Sequence, residues 1–316
     1  QTLTALQAEH DSAEALAWRV LLRTIYGPGH PYHTTLDGSI PSVEALSRED
    51  LIAFHSSRYR PDRGVWVVAG DVDPGVVAKH LDEMLGEGWT TQAPPASLDE
   101  EPPGTERRAP RLILVDKPGA AQSVVRVGHV GPRRDTVDFA DLLVVNHLFG
   151  GQFLSRLNHK LREEKGYTYG VRSSFDFRRG VGPFSVSASI QSGKTAEALV
   201  EIRRELEELI GERPPTLAEC DDARRAIIES QARSFETPSN LVGRYAGLFL
   251  HNLPPDYYQH FPDRIQAVTV ETAADAARRW IHPEEAAYVV VGDARELEAP
   301  LRHLEWCELE IIRFEA

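Results

Sequence analysis

Arg162 and Tyr169 stand seven residues apart, on either side of the glycine at 166. A guanidinium and a phenol that converge can both donate hydrogen bonds to one carbonyl or oxyanion. The run that holds them, Gly150 to Gly170, reads GGQFLSRLNHKLREEKGYTYG. Its two glycines open a segment with apolar residues at helical spacing (Phe153, Leu154, Leu157, Leu161), and Gly166 stops that helix before an alternating strand. Arg162 therefore falls on the last helical turn and Tyr169 on the strand that follows. An ordinary helix–turn–strand with a surface arginine and a half-buried tyrosine satisfies the same pattern.

Other chemistries find less support. Neither H-x-x-E-H nor H-E-x-x-H occurs among the twelve histidines. His30 and His33 have ligand-like spacing, but Pro31 places them in a turn, so a loop with two solvent-facing histidines is expected. His55, His80, His147 and His159 sit singly on predicted helices. Ser155 and Ser173 have no histidine and acid at a recognisable spacing. Gly182-Pro-Phe184 and Gly292-Asp-Ala294 read as strand turns, and the phosphate-loop patterns are missing.

The stretch GGQFLSRLNHKLREEKGYTYGVRSSF, followed from residue 150, resembles the C-terminal-domain motif of the pitrilysin/insulinase-like zinc peptidases, whose metal site is an inverted H-x-x-E-H. The wording GYTYG is closest to the bacterial two-subunit branch. Shorter pieces in the same order extend the resemblance through nearly the whole chain: Gly29-His-Pro-Tyr32, Val68-Ala-Gly-Asp-Val-Asp73, Phe235-Glu-Thr-Pro238 and Val289-Val-Val-Gly-Asp293. In that branch one polypeptide carries zinc, and a similar metal-free partner supplies an Arg and a Tyr to the peptide substrate. The resemblance makes Arg162 and Tyr169 that pair. Tyr167, two residues away on the same strand face, is the fallback for the phenol, and Gly150-Gly151 would form a flexible lip of the chamber, or simply a loop at a helix start.

The same resemblance places the third zinc ligand, a glutamate, within Gln1–Ala17. Aligned on Asp11-Ser-Ala13, the ligand position is Ala5, whose methyl group cannot bind a metal. Glu9 reaches it only if the alignment slides by one helical turn. The expectation is a chain that binds no metal, with zinc in a homologous partner subunit. Two other readings stay open: an active zinc endopeptidase whose metal helix lies in a preceding segment, and a non-catalytic scaffold resembling the core subunits of respiratory complexes.

Positioning such a site requires a sheet, and an internal repeat indicates where it is. Ser47–Asp71 aligns without a gap on Thr269–Asp293: Pro61 meets Pro283, Gly70 meets Gly292 and Asp71 meets Asp293, each 222 residues on. Both copies read as an amphipathic helix, a turn and an apolar strand ending in Gly-Asp. A second correspondence pairs Asp11–Ile25 with Glu236–Leu250. Between the copies, the proline- and acid-rich 94–110 reads as an extended linker.

The expected fold is therefore α+β, with two homologous domains, each a mostly antiparallel sheet covered by helices on one face. Residues 1–93 form the later half of the first domain, lacking its opening strands, and 111–316 form the second. Within 111–316 the expected elements are strands at Leu112–Val115 and Val124–Val130, helices at Val137–Leu148 and Phe153–Glu164, and a hairpin of Tyr167–Phe177 and Gly182–Gln191. Helices at Ala196–Leu209, Leu217–Phe235, Ser239–His251 and Val270–Trp280 precede a last strand at Val289–Val291.

Size and composition agree with this. The 316 residues are long enough for two cores, and 41% are apolar. A net charge of −13 argues against a nucleic-acid partner, whose phosphates need a basic face, and against anionic membrane surfaces. No apolar run approaches a membrane span. Cys220 and Cys307 are too few for a disulfide framework. The compartment, cytoplasm or periplasm, is left open.

Overall fold

The computed structural model describes residues 1–61, 64–86 and 109–313. The linker expected at 94–110 lies, except for its last two residues, outside them. Two packing units are present: residues 1–38, 102–228 and 261–316 form one, and residues 39–101 and 229–260 the other. In the first of these units the first helices pack with the sheet of the later residues.

The sheet-bearing unit begins with α1 (Thr2–Asp11) and α2 (Ala13–Tyr26). Ser12 separates them, and its side chain caps α2 by accepting from the Ala15 N–H. The other unit holds α3 (Ile40–Ala45), α4 (Arg48–Arg58) and α5 (Pro74–Leu85). Then come β1 (Arg111–Asp116), β2 (Gln122–Val130) and α6 (Phe139–Asn146), which widens into a π-helical turn at His147–Gly151. A short α7 (Arg156–Asn158) continues as a second π-helical turn, His159–Glu164, and leads into β3 (Thr168–Phe175) and β4 (Pro183–Gln191). Helices α8 (Thr195–Ile210), α9 (Leu217–Arg233), α10 (Pro238–Leu250), α11 (Tyr257–Gln266) and α12 (Val270–Trp280) follow. The chain closes with β5 (Ala287–Gly292), α13 (Ala294–Arg302) and β6 (Leu309–Arg313).

Six strands make one sheet in the order β3-β4-β2-β5-β1-β6. Its ladders are antiparallel at β3–β4, β2–β4 and β2–β5, and parallel at β1–β5 and β1–β6. The expected antiparallel character thus holds on one side of β5, and β1 and β6 run parallel on the other. Strand β5 is buried at every position and paired on both sides, as its unbroken apolar run requires.

Helices were expected on one face only, yet both faces are covered in part. One face meets α8 and α13, with α12 stacked against α6 and α8. On the other, Leu16, Val20, Leu21 and Ile25 of α2 pack over Ile113, Val115, Val124, Val289 and Val291. Gly128 permits this approach, since a Cβ there would lie 3.2 Å from Leu21 Cδ2 and 2.5 Å from the Phe184 carbonyl oxygen. Helix α2 covers the central strands and stops short of β3 and β4. His30 is not solvent-facing as expected: it is buried, stacked on Tyr26 at 4.5 Å, and its Nδ1 accepts from the Tyr32 N–H.

The repeat holds in its helices and fails in its strands. Ser47 and Thr269, at equivalent positions, each cap a helix through a reciprocal capping box. The second copy's strand is β5. In the first copy, Val65, Trp66 and Val68 are more than half exposed and lie outside any strand. A strand needs neighbours for its backbone N–H and C=O groups, and none pairs with this segment among the described residues.

His129 is fully buried on β2. Its Nε2 accepts from the His282 N–H and its Nδ1–H donates to the Val130 carbonyl, which fixes a neutral tautomer. Burial pulls its pKa from 6.5 down to about 4. The unfolded chain takes up this proton near pH 6.5, so His129 contributes stability that is complete above that pH. That contribution declines as pH falls toward 4, by about 3 kcal/mol in all. The urea midpoint should fall between pH 7 and 4.5, and the His129 ring proton in NMR should show no titration above pH 5; a ring titrating near 6.5 contradicts this account.

Candidate functional site

Helix α7 and its π-helical extension meet β3 through one side chain that the sequence reading passed over. Asn158 is buried, and its Nδ2 donates to the carbonyls of Gln152 (3.1 Å) and Val171 (2.9 Å) and to Ser155 Oγ. Its Oδ1 accepts from the Val171 N–H at 3.0 Å. The carboxamide therefore treats the Val171 backbone as a neighbouring strand would. Arg156 ties the same helix to α9 by a bidentate pair with Glu219 and by donating to the carbonyls of Arg213 and Pro214. Burial works against ionising Glu219, but Arg156 and Thr216 outweigh it and hold its carboxyl at about 2.

Arg162 lies in the π-helical turn and its guanidinium stacks on the Phe153 ring, 3.7 Å from the centroid. Its NH1 is buried without a hydrogen bond, although Glu163 Oε1 is 3.4 Å away. Tyr169 is 91% exposed, and its side chain makes no hydrogen bond among the described residues. Phe153 links the two: it carries Arg162 and, together with Tyr169, lines an open cavity of about 400 Å³ on the sheet face that α2 leaves bare. Gly151, Asn158, Arg126, Arg172, Ser187 and Glu14 line it as well.

Tyr167 does not line this cavity. It precedes β3, with Lys194 Nζ 5.8 Å from its ring. The strict alternation that put Tyr167 and Tyr169 on one face is broken by a register irregularity between Thr168 and Val171. Thr168 Oγ1 stabilises the break by donating toward the Ser189 and Gly170 carbonyls and accepting from the Gly170 N–H.

The glycine pair ends the π-helical turn after α6 instead of opening the next helix. A Cβ at Gly150 would lie 2.5 Å from Ser173 Oγ and 2.7 Å from the Ser173 N, and one at Gly151 would lie 2.8 Å from the Asn146 carbonyl oxygen. Close packing explains both residues, in place of the flexible lip expected from sequence.

The donors near the N-terminus do not suit a metal. Ala5 offers none, and the Glu9 carboxylate is paired with Arg19. His282, Glu284 and Glu285 bring ligand atoms within 4.8 Å of one another, on a part-exposed turn whose residues do not line the cavity.

A mixed sheet flanked by helices, with a helix–turn–strand unit at its edge, frames the cavity. The model of the peptidase M16 inactive domain matches residues 45–227, and the chain belongs to that family. An uncharacterized zinc protease of Mycobacterium tuberculosis is 30% identical over 300 residues, covering 93% of this chain and 66% of the relative. A non-peptidase homolog from Helicobacter pylori is 21% identical, covering 94% and 67%. The crystal structure of a peptidase M16 inactive domain from Pseudomonas fluorescens superposes with a TM-score of 0.82 at 25% identity, over 93% of this chain and 68% of that one. The chain thus spans about two-thirds of the length of these relatives.

Replacing Gly150 with Ala should cost about 2 kcal/mol, because the new methyl meets backbone that cannot withdraw. Asn158→Ala should cost about 2 kcal/mol by leaving the Val171 N–H and C=O unpaired. Chemical denaturation reads both; unshifted midpoints would show that the helix and β3 are held together by other contacts.

Proposed function

We propose that this chain is the metal-free subunit of a two-chain zinc peptidase, with Arg162 and Tyr169 as the groups that hydrogen-bond the peptide backbone beside the bond cleaved by the partner. The observation that carries this reading is an asymmetry. The position where a metal ligand is required holds Ala5, while Tyr169 keeps a free phenol at an open cavity wall that also includes the ring under Arg162. Membership of an inactive-domain family and the Helicobacter relative's name, non-peptidase homolog, support the absence of a catalytic centre. The partner would be a homologous chain holding zinc, which would supply Lewis-acid polarisation of the scissile carbonyl and an activated water; this chain positions the amide. Its donors act where negative charge grows, and removing one such donor lowers turnover by about 100-fold to 1,000-fold. Arg162→Ala or Tyr169→Phe should therefore depress turnover of the reconstituted pair by that order while leaving assembly, read by size-exclusion chromatography, intact. Undiminished turnover in both variants removes the assigned role.

A second reading is favoured by the names of several relatives, which are called zinc proteases. It makes the full-length protein an active peptidase with its metal helix outside residues 1–316. Zinc quantification separates the two: full-length protein purified alone should hold less than 0.1 zinc per chain, on the order expected of a site with no ligand set, whereas one zinc per chain supports the second reading.

A further inference from the structure

The cavity beside Tyr169 contains two arginines that no carboxylate among the described residues pairs with. In the sheet register Arg126 of β2 and Arg172 of β3 both lie opposite Ser187 of β4. Cross-strand partners share a face, so the three form one row, with the arginine backbones roughly 10 Å apart, two strand spacings. All three line the cavity, and Ser189 extends the hydroxyl stripe.

Elsewhere the arginines of this acidic chain find carboxylates readily. Arg156 pairs with Glu219, Arg203 with Glu207, Arg204 with Glu208 and Arg279 with Asp138. The side chains of Arg126 and Arg172 make no ion pair or hydrogen bond among the described residues. Arg126 is only part-exposed, stands 5.2 Å from the Trp18 ring, and has a buried Nε–H without an acceptor. Burial pulls its pKa down, and Glu14, the one carboxylate in the cavity wall, opposes that shift without coming within ion-pair distance. An unpaired, partly desolvated guanidinium is costly unless an anion completes it. A planar carboxylate matches the donor fork of arginine, and two forks rooted on either side of a serine can close on one such group.

We propose that Arg126, Arg172 and Ser187 form a subsite for an acidic side chain, aspartate or glutamate, of the peptide held at Tyr169. The proposal rests on the peptide-gripping reading above and assigns it a substrate class. In a protein of net charge −13, this subsite gives local selectivity against the field of the whole molecule, which on its own favours basic peptides.

Fluorescence anisotropy on the full-length protein tests it, using two labelled peptides identical except for one central Glu or Gln. The Glu peptide should bind about 10-fold tighter at low ionic strength, and the preference should shrink in about 0.5 M salt. Arg126→Gln combined with Arg172→Gln should bring the two affinities together while circular dichroism stays unchanged. Equal affinities in the unaltered protein, or a preference that survives the double substitution, overturn the subsite. Tyr169→Phe separates the two readings. If it weakens both peptides alike, grip and subsite both stand. If it changes neither while the arginine substitutions erase the preference, the subsite stands and the grip falls. Absence of binding by either peptide overturns both.

Discussion

Asn158 uses its carboxamide in both directions at once, donating a hydrogen bond to the Val171 carbonyl and accepting one from the Val171 N–H. A β-strand at the edge of a sheet has one row of backbone groups without partners, and β3 is such a strand. The amide completes that row at one residue and so joins the helix that carries Arg162 to the strand that carries Tyr169 and Arg172. The close contact of Gly150 with Ser173, and the hydrogen bond from Ser173 Oγ to Asn146, anchor the same strand two residues further on.

The cavity owes its existence to where α2 ends. Leu16, Val20 and Leu21 seal the central strands, where valine and isoleucine face the helix. Beyond Val124 the same face carries Arg126, then serines and Arg172 on β4 and β3. Helix α2 reaches that polar strip through Trp18, 5.2 Å from Arg126, and through Glu14 in the cavity wall, and the rest of the face stays open. The change of composition within one sheet face is what turns a packing surface into a binding surface.

The repeat shows how one sequence pattern meets two outcomes. Its helices form in both copies because capping boxes and helix periodicity are local. Its strand forms only at β5, where neighbours on both sides accept and donate every ladder hydrogen bond. The exposed Leu51, Ile52 and Phe54 of α4 contrast with the buried Ala273, Ala276 and Ala277 of α12 for the same reason: a face is buried only where something packs against it.

Periodicity, capping residues and the Gly166 stop were enough to place α12 residue for residue, the β3–β4 hairpin to within two residues, and Arg162 and Tyr169 on adjoining elements. The resemblance to zinc peptidases, and the misfit of Ala5 with a metal, were likewise present in the residues alone. Long-range register was not. That Arg126 and Arg172 share Ser187 as a neighbour depends on pairing among strands distant in sequence, which no local pattern encodes. The irregularity that separates Tyr167 from Tyr169, the packing behind the two glycines, and the role of Asn158 arise only when helix and strand approach each other. Local sequence determines the dihedral preferences and the chemistry each side chain carries; which of those side chains meet is decided by burial and by the completion of backbone hydrogen bonds across the whole sheet.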